Sequence, residues 1–279
     1  MLLGVLWLDA RGAAAQKSGD FQGAVAPWEE IIAIPAAGGI KLQTRVRRPA
    51  GNGPHALAIV NHGSPPDAAQ RPTMDIPRYP SATDWLLSKG YMVALPLRRG
   101  YGDTGGPWAE NYGPCRNPDF YRAGLTTGDD IGMVLEFFLS RSEMKRERIL
   151  LIGQSAGGWG SVAIASRNPS GVFAILNFAG GRGGGQPQVG NCAPQRLVEA
   201  AGRYGSTARI RSLWLYSEND KFFGPQLSRG MFDAYVQGGA PAQYVPLPAF
   251  GNDGHRVFAA AAGRALWQPP VEEFLAKLK

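Results

Sequence analysis

Five short apolar segments set the fold class of this 279-residue chain. Each is about six residues long, and helical or loop-like stretches separate them along the sequence. They are ALAIVN at 56–61, YMVALP at 91–96, RILLIG at 148–153, FAILNF at 173–178 and SLWLY at 212–216. Continuous apolar strands that alternate with helices are typical of a parallel sheet covered on both faces. The pattern therefore predicts an α/β protein.

The flanking segments complete the predicted sheet. Residues 28–34 and 41–48 predict an antiparallel hairpin, and residues 243–247 predict a last strand. Helices are predicted over 83–89, 127–139, 155–167, 227–237 and 271–278. The expected architecture is a mostly parallel mixed sheet of about eight strands with helices on both faces, in one domain over 16–279. The Gly-rich segment 179–205 predicts either a minimal lid loop or an ordinary surface loop.

The beginning of the chain and its two cysteines indicate export. A short apolar stretch at 2–8 precedes three alanines at 13–15. The basic residues that normally come before the apolar stretch of a signal peptide are missing. Residues 1–15 are therefore interpreted as a truncated signal peptide, with a disordered tail as the alternative. Cys115 and Cys192 lie in Gly/Pro-rich loops, and an even count in an exported protein predicts a disulfide. The predicted location is secreted or periplasmic.

Charge and composition exclude several classes of partner. The formal charge is +7, but basic residues are scattered, and the cluster of Arg45, Arg47 and Arg48 lacks interleaved aromatics. We therefore expect no nucleic-acid partner. No apolar run is long enough to span a bilayer, so membrane insertion is not expected. The glycine-rich run at 180–185 matches neither the spacing of the dinucleotide-binding motif nor that of the P-loop. This disfavours a nucleotide-binding protein. Oligomeric state is left open.

A G-x-S-x-G motif at 153–157 supplies a candidate nucleophile, Ser155. A predicted strand precedes the motif and a predicted helix follows it, which is the setting of a nucleophile elbow. The small residues Gly153 and Gly157 let the strand and helix approach closely, and the hydroxyl is exposed near the positive end of the helix. Because a serine alone is a poor nucleophile, a base must lie within reach.

The order of the remaining polar residues predicts that base and its acid. The sequence holds three histidines, and His255 follows the last predicted strand. Asp220 follows the strand before it, which gives the chain order Ser, Asp, His. Asp220 would orient the imidazole, with Glu218 as a close competitor. Asp129 and Asp130 are interpreted as charges at the N-terminus of the helix predicted from residue 127.

An oxyanion hole is expected from two backbone N–H groups. The first belongs to Ala156, directly after the nucleophile. The second is expected from the loop after the strand at 56–61, where Ser64 is the candidate because Pro65 and Pro66 have no N–H to donate. His62, in the same loop, is interpreted as structural.

Together these motifs resemble the α/β-hydrolase superfamily, and most closely its dienelactone hydrolase-like, esterase and peptidase members, from about residue 28 to the C-terminus. The resemblance implies hydrolysis of esters, less often amides, through an acyl-enzyme and without cofactor or metal. The chain departs from dienelactone hydrolases, which have a cysteine nucleophile. It also has no room for the propeller of prolyl-oligopeptidase-like relatives, and it lacks an HGGG motif.

The leading hypothesis is therefore a serine esterase acting on a small-molecule ester. A peptidase or amidase and a non-catalytic binding module on the same fold are the alternatives. Aromatic and basic residues near the motifs are candidates for a substrate pocket, with core packing or loop bracing as the alternative role: Trp159, Phe222, Phe223, Tyr101 and Arg99.

Overall fold

The computed structural model describes residues 28–186 and 190–278, so the predicted signal peptide at 1–15 lies outside the described residues. Ten strands lie within these ranges. They are β1 (Trp28–Pro35), β2 (Lys41–Arg48), β3 (Ala56–Asn61), β4 (Tyr91–Pro96), β5 (Ile149–Gln154), β6 (Val172–Phe178), β7 (Gly184–Gln186), β8 (Gly190–Asn191), β9 (Ser212–Ser217) and β10 (Ala242–Leu247).

Eight of the strands form one sheet, in the order β1-β2-β4-β3-β5-β6-β9-β10. β2 pairs antiparallel with β1 and β4, whereas the pairs from β4 to β10 are parallel. The predicted mostly parallel mixed sheet of about eight strands is thus confirmed. Since parallel strands end at one edge, the loops after β3, β5 and β9 meet there. β7 and β8 form a separate small hairpin.

In the described part of the chain, six α-helices cover the two faces of the sheet: α1 (Pro80–Ser88), α2 (Phe120–Leu139), α3 (Ala156–Ala165), α4 (Pro194–Gly205), α5 (Pro225–Gln237) and α6 (Arg264–Ala276). Trp85 of α1 and Trp267 of α6 pack in the core of one face, with ring centroids 5.6 Å apart. The core of the other face includes Val134 of α2, Trp159 of α3 and Met231 of α5. Within the described ranges, every helix is too short or too polar to cross a bilayer.

Three helices differ clearly from the sequence prediction: α2 and α6 each begin seven residues earlier than predicted, and α4 was not predicted as a helix. α2 begins seven residues before the predicted residue 127, where the Asp119 carboxylate accepts the N–H of Arg122 at 2.8 Å. Asp129 and Asp130 are therefore mid-helix, and their interpretation as N-terminal charges is wrong. α6 begins at Arg264 and continues through Pro269 and Pro270, before its predicted start at 271.

The third difference is α4, which occupies the second half of the predicted lid segment. Leu197, Ala200, Ala201 and Tyr204 recur at helical spacing and are buried, so this half is a core helix. The first half holds β7 and β8, and the Cys115–Cys192 disulfide, with Cα atoms 5.4 Å apart, fastens it to the loop after β4. The predicted disulfide is confirmed.

The contact between α2 and α3 generates a stability prediction. A Cβ on Gly160 of α3 would lie 2.2 Å from Thr127 Cγ2, whereas a Cβ on Gly132 of α2 would meet only Ile164 Cδ1 at 3.6 Å. Gly160→Ala should lower the free energy of unfolding by about 1–3 kcal/mol through overpacking. The control Gly132→Ala should leave it unchanged or raise it by up to about 1 kcal/mol. Urea unfolding measures both, and equal effects would contradict the packing.

Candidate active site

Ser155 lies at a strained turn between β5 and α3. Its backbone has φ 54° and ψ −121°, a conformation that non-glycine residues rarely adopt and that clusters at functional sites. Its N–H donates to the Phe178 carbonyl at 3.0 Å, and its carbonyl accepts the N–H of Gly181 at 3.2 Å. A Cβ at Gly157 would lie 2.2 Å from the Asn61 carbonyl oxygen. The strand–turn–helix geometry expected from the motif is therefore present, and glycine is required beside the serine.

His255 and Asp220 form a buried pair at the same edge of the sheet. The imidazole Nδ1 lies 3.1 Å and 3.2 Å from the two carboxylate oxygens of Asp220. Oδ1 of Asp220 also accepts the N–H groups of Phe222 and Phe223, at 2.8 Å and 3.0 Å, which fixes the carboxylate. Glu218, the competing acid, has an exposed side chain. Of the two acids, Asp220 is the one that contacts the imidazole.

Ser155 and His255 line a common cavity of about 340 Å³. The side chain of Gln154, next to the nucleophile, donates to the His255 carbonyl at 2.9 Å and so holds the two loops together. Among the hydrogen bonds of the described residues, none joins the Ser155 hydroxyl to the imidazole. Ser155 and His255 therefore face one cavity, and in the described part of the chain no hydrogen bond links their side chains.

A second, narrower cavity of about 50 Å³ holds Ser155, Ala156 and Ser64. The two residues predicted to supply the oxyanion hole are thus brought together beside Ser155. A Cβ on Gly63 would lie 3.2 Å from Ser155 Cβ, which shows how closely the loop after β3 approaches the elbow. Phe222 lines both cavities, as do Ser64 and Ser155, so the two spaces adjoin at Ser155.

His62 fixes the peptide that joins Gly63 to Ser64. Its Nε2 accepts the backbone N–H of Arg98 at 3.1 Å, so the ring proton resides on Nδ1, which donates to the Gly63 carbonyl at 2.7 Å. Burial, with a contribution from the Arg98 charge, lowers the His62 pKa to about 3, so the ring is neutral. Because the peptide is trans, holding its C=O toward His62 turns the Ser64 N–H to the opposite side. The predicted structural role of His62 fits this arrangement.

Behind this loop lies a buried cluster around Glu110. Its carboxylate accepts from Arg98 Nε at 2.9 Å and from Arg182 Nη1 at 3.1 Å. Tyr101 Oη and Thr127 Oγ1 donate to it as well. Burial opposes the charged form, but the Arg182 and Arg98 charges outweigh it and hold the Glu110 pKa well below its usual range. Arg98 Nη1 also donates to the His62 carbonyl at 2.7 Å, which connects the cluster to the loop after β3.

The candidate pocket residues divide into two groups. Phe222 and Phe223 line the narrow cavity, and Phe222 stacks on the His255 ring at 4.2 Å. Trp159 and Tyr101 are fully buried, and Arg99 binds Asp130 at 2.5 Å; the structure places all three outside both cavities. Their polar atoms bind neighbouring elements instead: Trp159 donates to the Phe120 carbonyl, Tyr101 to Glu110 and Arg99 to Asp130. Arg182 does line the narrow cavity, but its guanidinium, like that of Arg98, binds Glu110.

Sequence reasoning missed several residues that line the narrow cavity, among them Arg71 and Tyr112. The Arg71 guanidinium lies over the Trp108 ring, 3.5 Å from its centroid. Neither residue belongs to a motif or directly follows a strand of the large sheet. Only the folded loops bring them to the nucleophile.

Comparison with known proteins places the fold. No protein-family model and no curated protein sequence matches the chain. Among solved structures, a putative dienelactone hydrolase from Klebsiella pneumoniae is similar, with 18% identity and TM-score 0.59, over 89% of this chain and 98% of that one. An esterase from Pyrococcus furiosus has 14% identity and TM-score 0.61, over 90% and 92%. An acylaminoacyl peptidase from Pyrococcus horikoshii has 16% identity and TM-score 0.62, over 90% of this chain and 41% of that one. The chain therefore has the α/β-hydrolase fold.

The Glu110 cluster generates the prediction for this site. Glu110→Gln removes the charge that neutralises two buried arginines, and it should lower the free energy of unfolding by about 3–5 kcal/mol at neutral pH. The control Glu199→Gln removes an exposed carboxylate 3.3 Å from Arg196 and should change it by less than about 0.5 kcal/mol. Denaturant unfolding measures both.

The difference in unfolding free energy between wild type and Glu110→Gln should depend on pH in a defined direction. The Glu110 pKa is lower in the folded than in the unfolded chain, so its ionisation stabilises the fold above the unfolded value of about 4.3. This contribution is lost as the pH falls from that value through the folded pKa. The difference between wild type and Glu110→Gln should therefore shrink below about pH 4. A difference that grows on acidification would contradict the assignment.

Proposed function

We propose that the protein is a serine hydrolase that cleaves carboxylic esters of small molecules through an acyl-enzyme. Ser155 is the nucleophile, His255 the general base and Asp220 the acid that orients it. The observation that carries the proposal is the strained turn, which presents Ser155 to a cavity that the Asp220-bound imidazole also lines. Backbone strain of this kind persists only where surrounding contacts hold it, and it is typical of reactive residues.

The proposed reaction uses only groups of this chain. The Ser155 hydroxyl attacks the ester carbonyl carbon while His255 Nε2 takes its proton, and Asp220 stabilises the imidazolium through Nδ1. The Ala156 and Ser64 N–H groups receive the oxyanion. His255 then protonates the departing alcohol, and water, activated by the same imidazole, hydrolyses the acyl-enzyme. The Ser155–His255 hydrogen bond forms when substrate binds, since catalytic hydrogen bonds are often long in unliganded enzymes.

The two cavities support a short acyl group. The narrow cavity holds the proposed oxyanion donors, so it would receive the acyl part, and its volume is about 50 Å³. The cavity of about 340 Å³ holds His255, which protonates the leaving group, so it would receive the alcohol. These volumes favour small esters over long acyl chains or extended peptides. The similar acylaminoacyl peptidase keeps amide hydrolysis as the second candidate, and parallel kinetics on nitrophenyl esters and aminoacyl anilides separate the two.

The disulfide supports a location in an oxidising compartment. A bond between Cys115 and Cys192 persists where thiols are not kept reduced, as in the periplasm or outside the cell. We therefore assign the protein to a secreted or periplasmic location as part of the proposal.

Active-site labelling tests the proposed triad. A fluorophosphonate probe should label the wild-type chain and fail to label Ser155→Ala, because only an activated serine reacts. Asp220→Asn should lower kcat on nitrophenyl acetate by about 10³–10⁴-fold, because the imidazole loses its orientation.

Two control variants sharpen this test. Ser64→Ala removes a second serine that lines both cavities but keeps the backbone N–H, and Glu218→Gln removes the competing acid. Both should retain labelling and stay within a few-fold of wild-type kcat. Absence of labelling in folded wild-type protein would instead favour a non-catalytic binding module.

Acyl-chain length tests the assignment of the narrow cavity. The kcat/KM for nitrophenyl acetate should exceed that for nitrophenyl octanoate by at least about tenfold, because the longer chain does not fit. Phe222→Ala should bring the ratio of the two kcat/KM values closer to one, because loss of the phenyl ring enlarges the narrow cavity that it lines. The control Phe173→Ala, a half-buried phenylalanine near the opposite edge of the sheet, should leave the ratio unchanged. If the wild-type protein preferred the octanoate ester, the acyl group would have to bind outside the narrow cavity, and the assignment would be wrong.

A further inference from the structure

A larger cavity, of about 620 Å³, lies at the edge of the sheet opposite to Ser155. Ala56 and Tyr91, the first residues of β3 and β4, line it, as does Arg148, which directly precedes β5. Arg148 and Ser155 are separated by the length of β5, roughly 20 Å at the rise of a parallel strand. The cavity is therefore distinct from the proposed catalytic site, and its volume is that of a site for a small organic ligand.

The charges around this cavity are unbalanced. Lys89, Lys145 and Arg148 contribute three cations to its lining, and Glu272 contributes one carboxylate. Glu272 Oε1 already accepts from Lys89 Nζ at 2.8 Å, and from Trp85 Nε1 and Gln268 Nε2 at 3.0 Å and 3.1 Å. In residues 28–186 and 190–278, no carboxylate lies within 4 Å of the charged nitrogens of Lys145 or Arg148. Two cations are thus left for a ligand.

A buried polar group in the lining also lacks a partner. His55 is 8% exposed, and within the described ranges its Nε2 has no hydrogen-bond partner. An unpaired buried polar atom is destabilising, so it requires an explanation. The His55 backbone is held firmly: its N–H donates to the Glu143 carbonyl at 3.0 Å, and its carbonyl accepts from the Lys145 N–H at 2.8 Å. His55 thus lines the same cavity as the two unpaired cations, with its backbone held in place.

The remaining lining is aromatic and apolar. Trp85 and Tyr91 are buried in the wall, and the Arg148 guanidinium lies over the Phe173 ring, 4.8 Å from its centroid. Aromatic rings favour contact with a flat apolar body. The cations at the rim favour a carboxylate on that body, because charge-assisted hydrogen bonds to carboxylates are strong.

We propose that this cavity is a second binding site that takes an aromatic carboxylate, its ring against Trp85, Tyr91 and Phe173 and its carboxylate between Lys145, Arg148 and His55. The site stands apart from the proposed function, since none of its groups lines the cavities that contain Ser155.

Histidine NMR on the full-length Ser155→Ala protein tests the proposal without catalysis. The chain has three histidines, which belong to three separate environments: His55 in this cavity, His62 in the loop after β3 and His255 beside Asp220. Titration with 2-naphthoate should shift the His55 signal and leave the His255 signal in place. Burial and the nearby Arg48 and Lys145 lower the His55 pKa in the free protein, so the bound carboxylate should raise it.

Matched ligands and variants identify the groups responsible. The neutral 2-naphthylmethanol should bind at least about tenfold more weakly than 2-naphthoate, and octanoate should also bind more weakly. The double variant Lys145→Gln, Arg148→Gln should weaken naphthoate binding by about tenfold. The control Arg146→Gln removes an exposed cation of the same loop that does not line the cavity, and it should have no effect.

Four results would each overturn the proposal. They are a naphthoate titration that moves His255 and not His55, equal binding of the neutral alcohol, equal effects of the double variant and Arg146→Gln, and absence of binding at millimolar naphthoate. Tighter binding of octanoate would overturn the aromatic specificity. Because binding is measured in a variant without the nucleophile, failure here is independent of any failure of the proposed hydrolase activity.

Discussion

The Glu110 carboxylate is the contact on which the arrangement of the candidate active site depends. A buried charge destabilises a fold unless partners satisfy it, and here two arginines, a tyrosine and a threonine donate to one group. These donors come from the loop after β4, from α2 and from the segment after β6. One carboxylate therefore holds in place three parts of the chain that no regular backbone pairing joins.

The contacts of Glu110 extend, through Arg98 and His62, to the Ser64 N–H that is proposed to receive the oxyanion. Arg98 binds Glu110 and also the His62 carbonyl, and its N–H fixes the tautomer of the His62 ring. That ring in turn holds the Gly63 carbonyl, which orients the Ser64 N–H proposed to receive the oxyanion. Preorganised donors of this kind are effective because they need no reorganisation during the reaction. Arg98 thus supports the proposed chemistry through the backbone of the loop after β3.

Features encoded by local patterns could be predicted from the sequence. The apolar strands, the elbow at Ser155 and the chain order of Asp220 and His255 are of this kind, and the structure places Asp220 against His255 as expected. The start of α2 was missed because Asp119, its N-cap, is separated from the strongly apolar part of the helix. The Glu110 cluster could not be predicted, since its partners lie 12 and 72 positions away with no shared period. The same holds for Arg71 and Tyr112, which reach the narrow cavity only through loop packing.

The two ends of the parallel sheet present different chemistry for a common structural reason. Every residue of β5 is buried, so the strand can expose functional groups only where it begins and where it ends. Its end presents Ser155, and the residue before its beginning is Arg148. A ligand at one end changes affinity at the other only if it discriminates between two states of the structure between them. β5 is buried on both faces, and close packing of this kind resists a second arrangement, so ligand binding near Arg148 and the proposed turnover at Ser155 are expected to be independent quantities.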